Sequence, residues 1–218
     1  MFEYKGIKIR RLGHDSFSLT DNIKIIIDPF KIATQEKADL ILISHNHFDH
    51  LSVEDLKKVS TENTTIVAAQ ECLDMLRGFS FKEKIGMSPG EEKIIRGIKI
   101  KAIRAYNLDK INPETKKPFH PKEDNKIGFL ISFNGITIYH TGDTDLIPEM
   151  SDIKPDIALV PVSGTYVMTA QEAAKAVEKI KPKIVIPMHY GTIVGTEKDA
   201  LDFKQLIKSS EVHILTKE

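Results

Sequence analysis

The sequence has little that would commit it to an oxidising compartment or to a highly charged partner. Cys72 is the single cysteine, so no intramolecular disulfide can form and a thiolate zinc knuckle is excluded, which fits a reducing compartment. The 31 basic residues equal the 31 acidic residues, so the whole chain has no net electrostatic attraction for nucleic acid or an anionic membrane. We therefore expect no nucleic-acid partner.

Long apolar runs are also missing. No uninterrupted apolar stretch approaches the roughly 20 residues that span a bilayer, and the amino terminus lacks the apolar core of a signal peptide. We predict a cytoplasmic protein with no membrane partner. Its 218 residues, 41% of them hydrophobic, can bury a substantial core, and we expect one globular domain over residues 1–218.

Strand patterns and helix patterns alternate along the first half of the chain. Four strands are predicted from short apolar-rich segments with polar connections: GIKIRRL, SFSLT, NIKIIID and DLILISH. Ser52 is the predicted N-cap of a helix over SVEDLKKV, because acidic residues follow it and apolar residues recur at helical spacing. TTIVAAQ predicts another strand, and QECLDMLRGF predicts a short helix that Gly78 ends.

The second half repeats this rhythm. Hairpin turns are predicted at residues 96–97 and 134–135. After them we expect a strand over PDIALVPVSG, a helix opened by a Thr169–Glu172 capping box, a strand over KPKIVIPMHYG, a closing helix and a last strand, VHILT. Between the hairpins lie roughly 20 polar residues without a period, NLDKINPETKKPFHPKEDNK; a lid over a site is favoured over a disordered insertion.

The stretch ILISHNHFDHLS carries the strongest chemical signal. Four potential metal ligands fall within six positions after a run of apolar residues: His45, His47, Asp49 and His50. The spacing is too short for the i, i+4 pairs of helical zinc sites, so we expect a loop that holds one or two cations. Imidazole and carboxylate without sulfur suit Zn, Mn or Fe. The alternative is a run of surface histidines beside a capped helix, which this crowding of ligands disfavours.

SHNHFDH resembles the H-x-H-x-D-H signature of the metallo-β-lactamase superfamily. IIIDPF with Asp28, YHTGDT with Asp143 and IPMHYG with His189 resemble further motifs of that superfamily, in the same order and over nearly the whole chain. RLGHDSF, taken with HTGDT, looks most like the branch of ascorbate-6-phosphate lactonase-like proteins. The resemblance implies an α/β fold, the αβ/βα four-layer sandwich, with two sheets face to face, helices outside and a metal site at one edge between the halves.

The resemblance also implies a ligand set for one or two divalent ions, with zinc expected and Mn or Fe as alternatives. It places His45 and His47 on the first metal, Asp49, His50 and His189 on the second, and Asp143 between both. Asp28 would orient the metal loop through hydrogen bonds without touching a metal.

One part of the sequence departs from the superfamily pattern. A further histidine usually reaches the first metal, but here Tyr106 and Asn107 occupy the corresponding stretch. His120, on the long polar loop, is the one histidine near enough in sequence to replace it, as a ligand or as a substrate contact; otherwise the first metal would be held weakly or not at all. His14, Asn107 and His120 are our predicted substrate-binding residues, although His14 also fits a turn histidine bonded to backbone.

The expected activity is metal-dependent hydrolysis. Two cations about 3.5–4 Å apart lower the pKa of a shared water toward 7, which yields metal-bound hydroxide at neutral pH. Asp49 is the predicted catalytic residue, which takes the proton of the nucleophile and delivers it to the leaving group. We expect a small ester, lactone or phosphodiester as substrate, anionic because the long loop contains lysines; a homo-oligomer is left open.

Two other functions fit the same residues. A mononuclear iron dioxygenase could use this site, whereas the diiron oxygen-reducing relatives carry Glu where this chain has His47 and need a fused flavin domain. A non-catalytic metal-binding sensor would follow from the missing first-site histidine. Metal analysis separates the first alternative from a hydrolase, and a change of Asp49 without loss of activity would support the second.

Overall fold

A computed structural model describes residues 1–218, which form two compact units. The amino-terminal unit consists of Met1–Met87 with Leu215–Glu218, and the carboxy-terminal unit is Ser88–Ile214. Each unit contains a single seven-stranded sheet. In both sheets, strands that are neighbours in sequence are also neighbours in space.

The amino-terminal unit orders its strands from first to last across the sheet. The seven strands are β1 (Phe2–Tyr4), β2 (Ile7–Gly13), β3 (Ser16–Thr20), β4 (Lys24–Ile27), β5 (Leu40–Ile43), β6 (Thr65–Ala69) and β7 (Glu83–Met87). Strands β1 to β4 pair antiparallel, and β4 to β7 pair parallel. Helix α1 (Val53–Val59) connects β5 to β6 and begins at Ser52, whose side chain accepts the Asp55 N–H, as predicted.

The carboxy-terminal unit repeats this plan. Its strands are β8 (Glu92–Ile95), β9 (Ile98–Arg104), β10 (Ile127–Phe133), β11 (Ile136–His140), β12 (Ile157–Pro161), β13 (Ile184–Met188) and β14 (Glu211–Val212). Strands β8 to β11 pair antiparallel and β11 to β14 parallel. Helices α2 (Ala170–Ile180) and α3 (Glu197–Leu206) make the parallel crossovers, and the predicted Thr169–Glu172 capping box opens α2.

Parallel strands form the most buried part of each unit. Every residue of β5, β6, β12 and β13 is buried, as expected for central parallel strands that are covered on both faces. Helix α2 contributes apolar side chains such as Val177 and Ile180 to the core of its unit. The rigid, buried strands therefore hold in place the polar residues that follow them.

Both predicted hairpins are confirmed by their backbone. Arg96 and Gly97 have positive φ angles of 51° and 80°, and Asn134 and Gly135 have 51° and 72°. A two-residue turn of type I′ needs positive φ at both central positions. The local turn chemistry therefore sets the register of each hairpin.

Four elements differ from the sequence-based expectation. QECLDMLRGF is not an α-helix: after a 3₁₀ turn at Gln70–Cys72 its backbone closes successive i→i−3 bonds, from Leu73 to Gln70 and from Met75 to Cys72. The last strand covers Glu211–Val212 and not VHILT. The strands β1 and β7 were not predicted, because FEY and EKIGM alternate too weakly to identify as strands.

The helices are too short or too polar for a membrane crossing. None of them combines the length with the apolar character that a membrane span requires.

Gly128 on β10 allows the backbone to approach the segment that leads to Asp143. A Cβ at position 128 would lie 2.6 Å from the carbonyl oxygen of His140 and nearer still to that of Thr141. These atoms belong to backbone, so they cannot rotate away. The close approach therefore requires glycine.

We predict that Gly128→Ala destabilises the protein by about 3 kcal/mol, because the strand must move to admit the methyl group. Urea unfolding of the metal-free protein measures the change. Gly78→Ala is the matched control, since nothing lies within 4 Å of a Cβ at that position. An unchanged unfolding midpoint for Gly128→Ala would contradict the packing described here.

Candidate metal centre

In the amino-terminal unit, the predicted metal loop follows β5 as a tight turn. The backbone N–H groups of His50 and Leu51 both donate to the His47 carbonyl oxygen, at 3.0 and 2.8 Å. The His45 ring centroid lies 4.0 Å from that of His50 and 4.5 Å from that of His47. The turn thus gathers the three imidazoles at the carboxyl end of the strand.

Asp28 ties this loop to the neighbouring strand. It follows β4 with a φ of +43°. Its Oδ1 accepts the Ser44 N–H at 2.7 Å, and its Oδ2 accepts the Ser44 hydroxyl at 2.6 Å and the His50 Nδ1–H at 2.9 Å. All three residues are fully buried. The predicted role of Asp28, which is to orient the loop through hydrogen bonds, is confirmed.

These hydrogen bonds define which ring nitrogen of His45 and of His50 can bind a metal. An ionised carboxylate only accepts, so the proton of His50 lies on Nδ1. Ser44 donates its one hydroxyl proton to Asp28, so its oxygen accepts the His45 Nδ1–H at 3.0 Å. In the neutral form of both rings Nε2 then carries the lone pair, which is the arrangement of a metal-binding histidine held by an outer hydrogen bond.

Carboxylates lie opposite two imidazoles of the same unit. The Oδ2 atom of Asp49 is 3.4 Å from Nε2 of His14, and the Oδ2 atom of Asp15 is 3.5 Å from Nε2 of His50. His14, Asp15 and His50 belong to one group of side chains whose ligand atoms lie within 4.8 Å of one another. His14 and Asp15 are fully buried, whereas the Asp49 side chain is 13% exposed.

In the carboxy-terminal unit, Asp143 faces two histidines. Its Oδ2 atom lies 3.3 Å from Nε2 of His120 and also 3.3 Å from Nε2 of His189. Asp143 follows β11 and His189 follows β13, so both leave the carboxyl ends of parallel strands, while His120 comes from the long polar segment. All three side chains are buried.

Outer hydrogen bonds again select Nε2 of each ring as the ligand atom. The Asn107 Oδ1 atom accepts the His120 Nδ1–H at 2.9 Å. Ser163 donates its hydroxyl to the Thr165 carbonyl oxygen at 3.3 Å, so its oxygen accepts the His189 Nδ1–H at 2.9 Å. Four buried imidazoles of the chain therefore share one tautomer.

Asn107 uses both ends of its amide within the protein. Its Oδ1 also accepts the His120 backbone N–H at 2.9 Å, and its Nδ2 donates to the Tyr166 carbonyl oxygen at 2.8 Å. Tyr166 has a φ of +68°, a conformation that is rare for a bulky residue. Asn107, predicted as a substrate contact, is thus the residue that positions the His120 ring.

Two neighbouring residues are bonded in ways that do not suit a ligand. His140 accepts the Gly142 N–H on its Nδ1, the reverse of the pattern in the four histidines above. Tyr106 donates its hydroxyl to Glu149 at 3.1 Å. The hydrogen bond that His140 makes therefore differs from those of the four histidines above.

The long segment that contains His120 is anchored at several points. The Leu108 N–H donates to Asp145 at 2.7 Å, and the Lys110 ammonium contacts Glu172 at 2.9 Å, at the start of α2. Burial lowers the pKa of Lys110, but hydrogen bonds to Asp109 and Glu172 more than offset it, so the pKa is raised above its ordinary value. These anchors hold the base of the segment in place.

The spacing of the donor atoms fits a bound cation. Ligand atoms about 2.0–2.1 Å from a tetrahedral ion lie roughly 3.4 Å apart. The four pairs of Nε2 and carboxylate oxygen described above are separated by 3.3–3.5 Å. Since imidazole nitrogen and carboxylate oxygen both bind divalent metals, this spacing suits a cation that the two share. The chain therefore carries a buried His/Asp site for a divalent metal.

Sequence reasoning missed three residues of this site. Ser44 and Ser163 define the tautomers of His45 and His189, and Asp15 lies opposite His50. The two serines were marked only by their position within two residues of the end of a strand. Asp15 was marked by its place beside His14, in a stretch that the resemblance had already singled out.

Comparison with known proteins agrees with this fold and site. A model described as a β-lactamase superfamily domain matches residues 8–189. A UPF0173 metal-dependent hydrolase of Archaeoglobus fulgidus is 33% identical over 222 residues, which cover 95% of this chain and 94% of the relative. The crystal structure of a metal-dependent hydrolase from Parabacteroides distasonis is 32% identical and superposes with a TM-score of 0.83, covering 97% of this chain and 94% of that one. Igni18, a metallo hydrolase of the archaeon Ignicoccus hospitalis, is 27% identical with a TM-score of 0.76, covering 96% and 94%.

The two mixed sheets flanked by helices are the metallo-β-lactamase αβ/βα fold, so the predicted fold class is confirmed. Within that superfamily, the chain belongs to the UPF0173 family of metal-dependent hydrolases.

We expect Asn107→Leu to weaken metal binding by roughly 10–100-fold, because the His120 ring loses the acceptor that orients it. Asn107→Asp is the matched variant: it keeps an oxygen for the His120 Nδ1–H and should retain most of the affinity. Competition with a chromophoric chelator measures both, and a melting curve of each metal-free protein shows that the fold is intact. Equal affinities for the two variants would contradict a positioning role.

Proposed function

We propose that this chain hydrolyses a small anionic ester, lactone or phosphodiester with the help of divalent metal, zinc being the first candidate. The observation that carries the proposal is the position of Asp143, whose Oδ2 lies 3.3 Å from Nε2 of His120 and from Nε2 of His189. Imidazole nitrogen and carboxylate oxygen are both ligand types of divalent metals. With metal bound, this carboxylate oxygen would serve ions held by either imidazole.

The proposed ligand set contains the six residues that the resemblance gives and adds His120 to them. His45, His47 and His120 would hold the first ion, Asp49, His50 and His189 the second, and Asp143 would serve both. His120 takes this place because its ring is directed at Asp143 by the Asn107 amide. It would supply the first-metal imidazole that the superfamily usually places where this chain has Tyr106 and Asn107.

Divalent ions held in this way would activate water near neutral pH. They would also stabilise the negative charge that develops in the transition state. Asp49 is the residue proposed to move the proton. It is the half-buried carboxylate of the metal loop, whereas Asp28 and Asp143 are buried. A carboxylate that reaches both solvent and ligand cluster can accept a proton from the nucleophile and return it to the leaving group.

The proposed substrate class follows from charge and from resemblance. Lys116 and Lys117 are exposed on the long segment that carries His120, where they could attract an anionic molecule. RLGHDSF supports a lactone among the candidates through its likeness to the lactonase-like branch. The balance of 31 basic and 31 acidic residues supports a small substrate over a nucleic acid, and the single, buried Cys72 supports the cytoplasm as the compartment.

The test is hydrolysis by protein that has been stripped with a chelator and reloaded with Zn²⁺, Mn²⁺ or Fe²⁺. An aryl phosphodiester, an aryl ester and a set of phosphorylated and plain lactones form the panel. We expect one ion to restore turnover, and Asp49→Asn to reduce it by roughly 100-fold or more. Asp74→Asn, at an exposed carboxylate, is the control and should change nothing. Oxygen consumption by the iron form without hydrolysis, or no turnover with any ion, would overturn the proposal.

A further inference from the structure

His50 lies between two buried carboxylates. Asp28 is 2.9 Å from its Nδ1, and Asp15 is 3.5 Å from its Nε2. All three side chains are fully buried. The Nδ1 proton is directed at Asp28, so in the neutral ring the Nε2 lone pair faces the Asp15 oxygen.

The position of Asp15 is fixed by the hydrogen bonds of the next residue. His14 and Asp15 form the tight connection between β2 and β3. The next residue, Ser16, donates its hydroxyl to the Asp28 carbonyl oxygen at 2.5 Å and accepts the Phe30 N–H at 2.9 Å. The turn that carries Asp15 is therefore tied to the segment that orients His50. A buried carboxylate held in this way cannot swing toward solvent.

A carboxylate oxygen and an imidazole nitrogen are both ligand types of divalent metals, and the ligand atoms of His14, Asp15 and His50 all lie within 4.8 Å of one another. A cation between Asp15 and His50 would be bound by both. The separation of 3.5 Å is close to the roughly 3.4 Å expected between two ligands of one ion. His14 has the same relation to Asp49, at 3.4 Å, so the β2–β3 turn presents a second donor toward the metal loop.

We infer that Asp15 is a further ligand of the metal that His50 binds, outside the ligand set that the superfamily motifs give. The additional carboxylate makes this position richer in oxygen, which favours Mn²⁺ or Fe²⁺ relative to Zn²⁺. The inference rests on the metal binding in the proposed function, but it does not depend on the reaction that the metal serves.

Cobalt spectroscopy of Asp15→Cys tests the inference directly. If residue 15 reaches the ion, the Co²⁺ form gains a thiolate-to-cobalt charge-transfer band in the near ultraviolet. Ser18→Cys, a buried position on β3, is the matched control; it and the native protein with its buried Cys72 should show no such band. Co²⁺ bound to Asp15→Cys without the band would overturn the inference.

A second variant keeps the inference testable if Asp15→Cys fails to fold. Asp15→Asn preserves shape and loses the charge. We expect its dissociation constant for Mn²⁺ to rise by roughly ten-fold or more, with a smaller rise for Zn²⁺. An unchanged preference between the two ions would contradict a ligand role. A native protein that binds metal with this preference but hydrolyses nothing would sink the proposed function and leave Asp15 as a ligand.

Discussion

Replacing Asp143 with asparagine is expected to remove at least one of the bound ions and to reduce hydrolysis by about a thousand-fold or more. The side chain keeps its shape, but the oxygen that lies 3.3 Å from both His120 and His189 loses its negative charge. If Asp143 serves both ions, as proposed, a neutral amide in its place would stabilise each of them less by several kcal/mol, and every 1.4 kcal/mol lost in the transition state is a factor of ten in rate.

The measurement for Asp143→Asn is elemental analysis together with kcat on whichever substrate the panel reveals. Asp152→Asn, at an exposed carboxylate of the same unit, should retain full metal content and rate. The variant should fold, because repulsion between Asp143 and the two imidazoles disappears along with the charge. Full metal content in Asp143→Asn would exclude the bridging role.

Asp28→Ala is expected to have the largest effect on stability. Removing the carboxylate leaves three buried donors without their acceptor: the Ser44 N–H, the Ser44 hydroxyl and the His50 Nδ1–H. Each unsatisfied donor costs about 1–3 kcal/mol, so we expect a loss of at least about 3 kcal/mol in the free energy of unfolding. The His50 ring also loses the acceptor of its Nδ1–H, and the Ser44 hydroxyl beside His45 no longer has Asp28 to donate to. Neither tautomer is then defined, which should weaken metal binding by a further 10–100-fold or so.

Unfolding in urea with a chelator present separates these two effects, because the metal then makes no contribution to stability. Asp39→Ala is the control: this exposed carboxylate also accepts a backbone N–H, from Lys24 at 2.9 Å, on the same sheet. We expect it to cost under about 1 kcal/mol. Equal losses for the two variants would show that Asp28 has no special place in the loop.

Local sequence signals predicted much of the fold. The turn residues at positions 96–97 and 134–135 and the cap residues Ser52 and Thr169 act within a few residues of themselves, so their outcome does not depend on distant packing. QECLDMLRGF failed as a prediction because a segment this short is marginal as an α-helix and can tighten to i→i−3 bonding.

The residues of the candidate site were also predicted only in part from local sequence patterns. The ligand motifs are visible in the sequence because metal chemistry restricts residue types at fixed positions. Apart from Asp28, which the resemblance marks, and Ser44, which adjoins His45, the residues that orient those ligands lie far in sequence from the side chains they contact. Asn107 is 13 positions from His120, and Asp15 meets His50 only after β2 and β3 pair and the metal loop closes. Hydrogen-bond acceptors of this kind can be many residue types, so no local pattern marks them.

Left-handed backbone at Asp28 and His189 limits how this centre can be redesigned. Both residues follow a parallel strand, with φ values of 43° and 60°. Aspartate and histidine are among the few non-glycine residues that adopt this conformation readily, and branched or bulky side chains pay a considerable penalty. Replacing either residue with glutamate would therefore strain the backbone, whatever the effect of the new side chain on metal affinity.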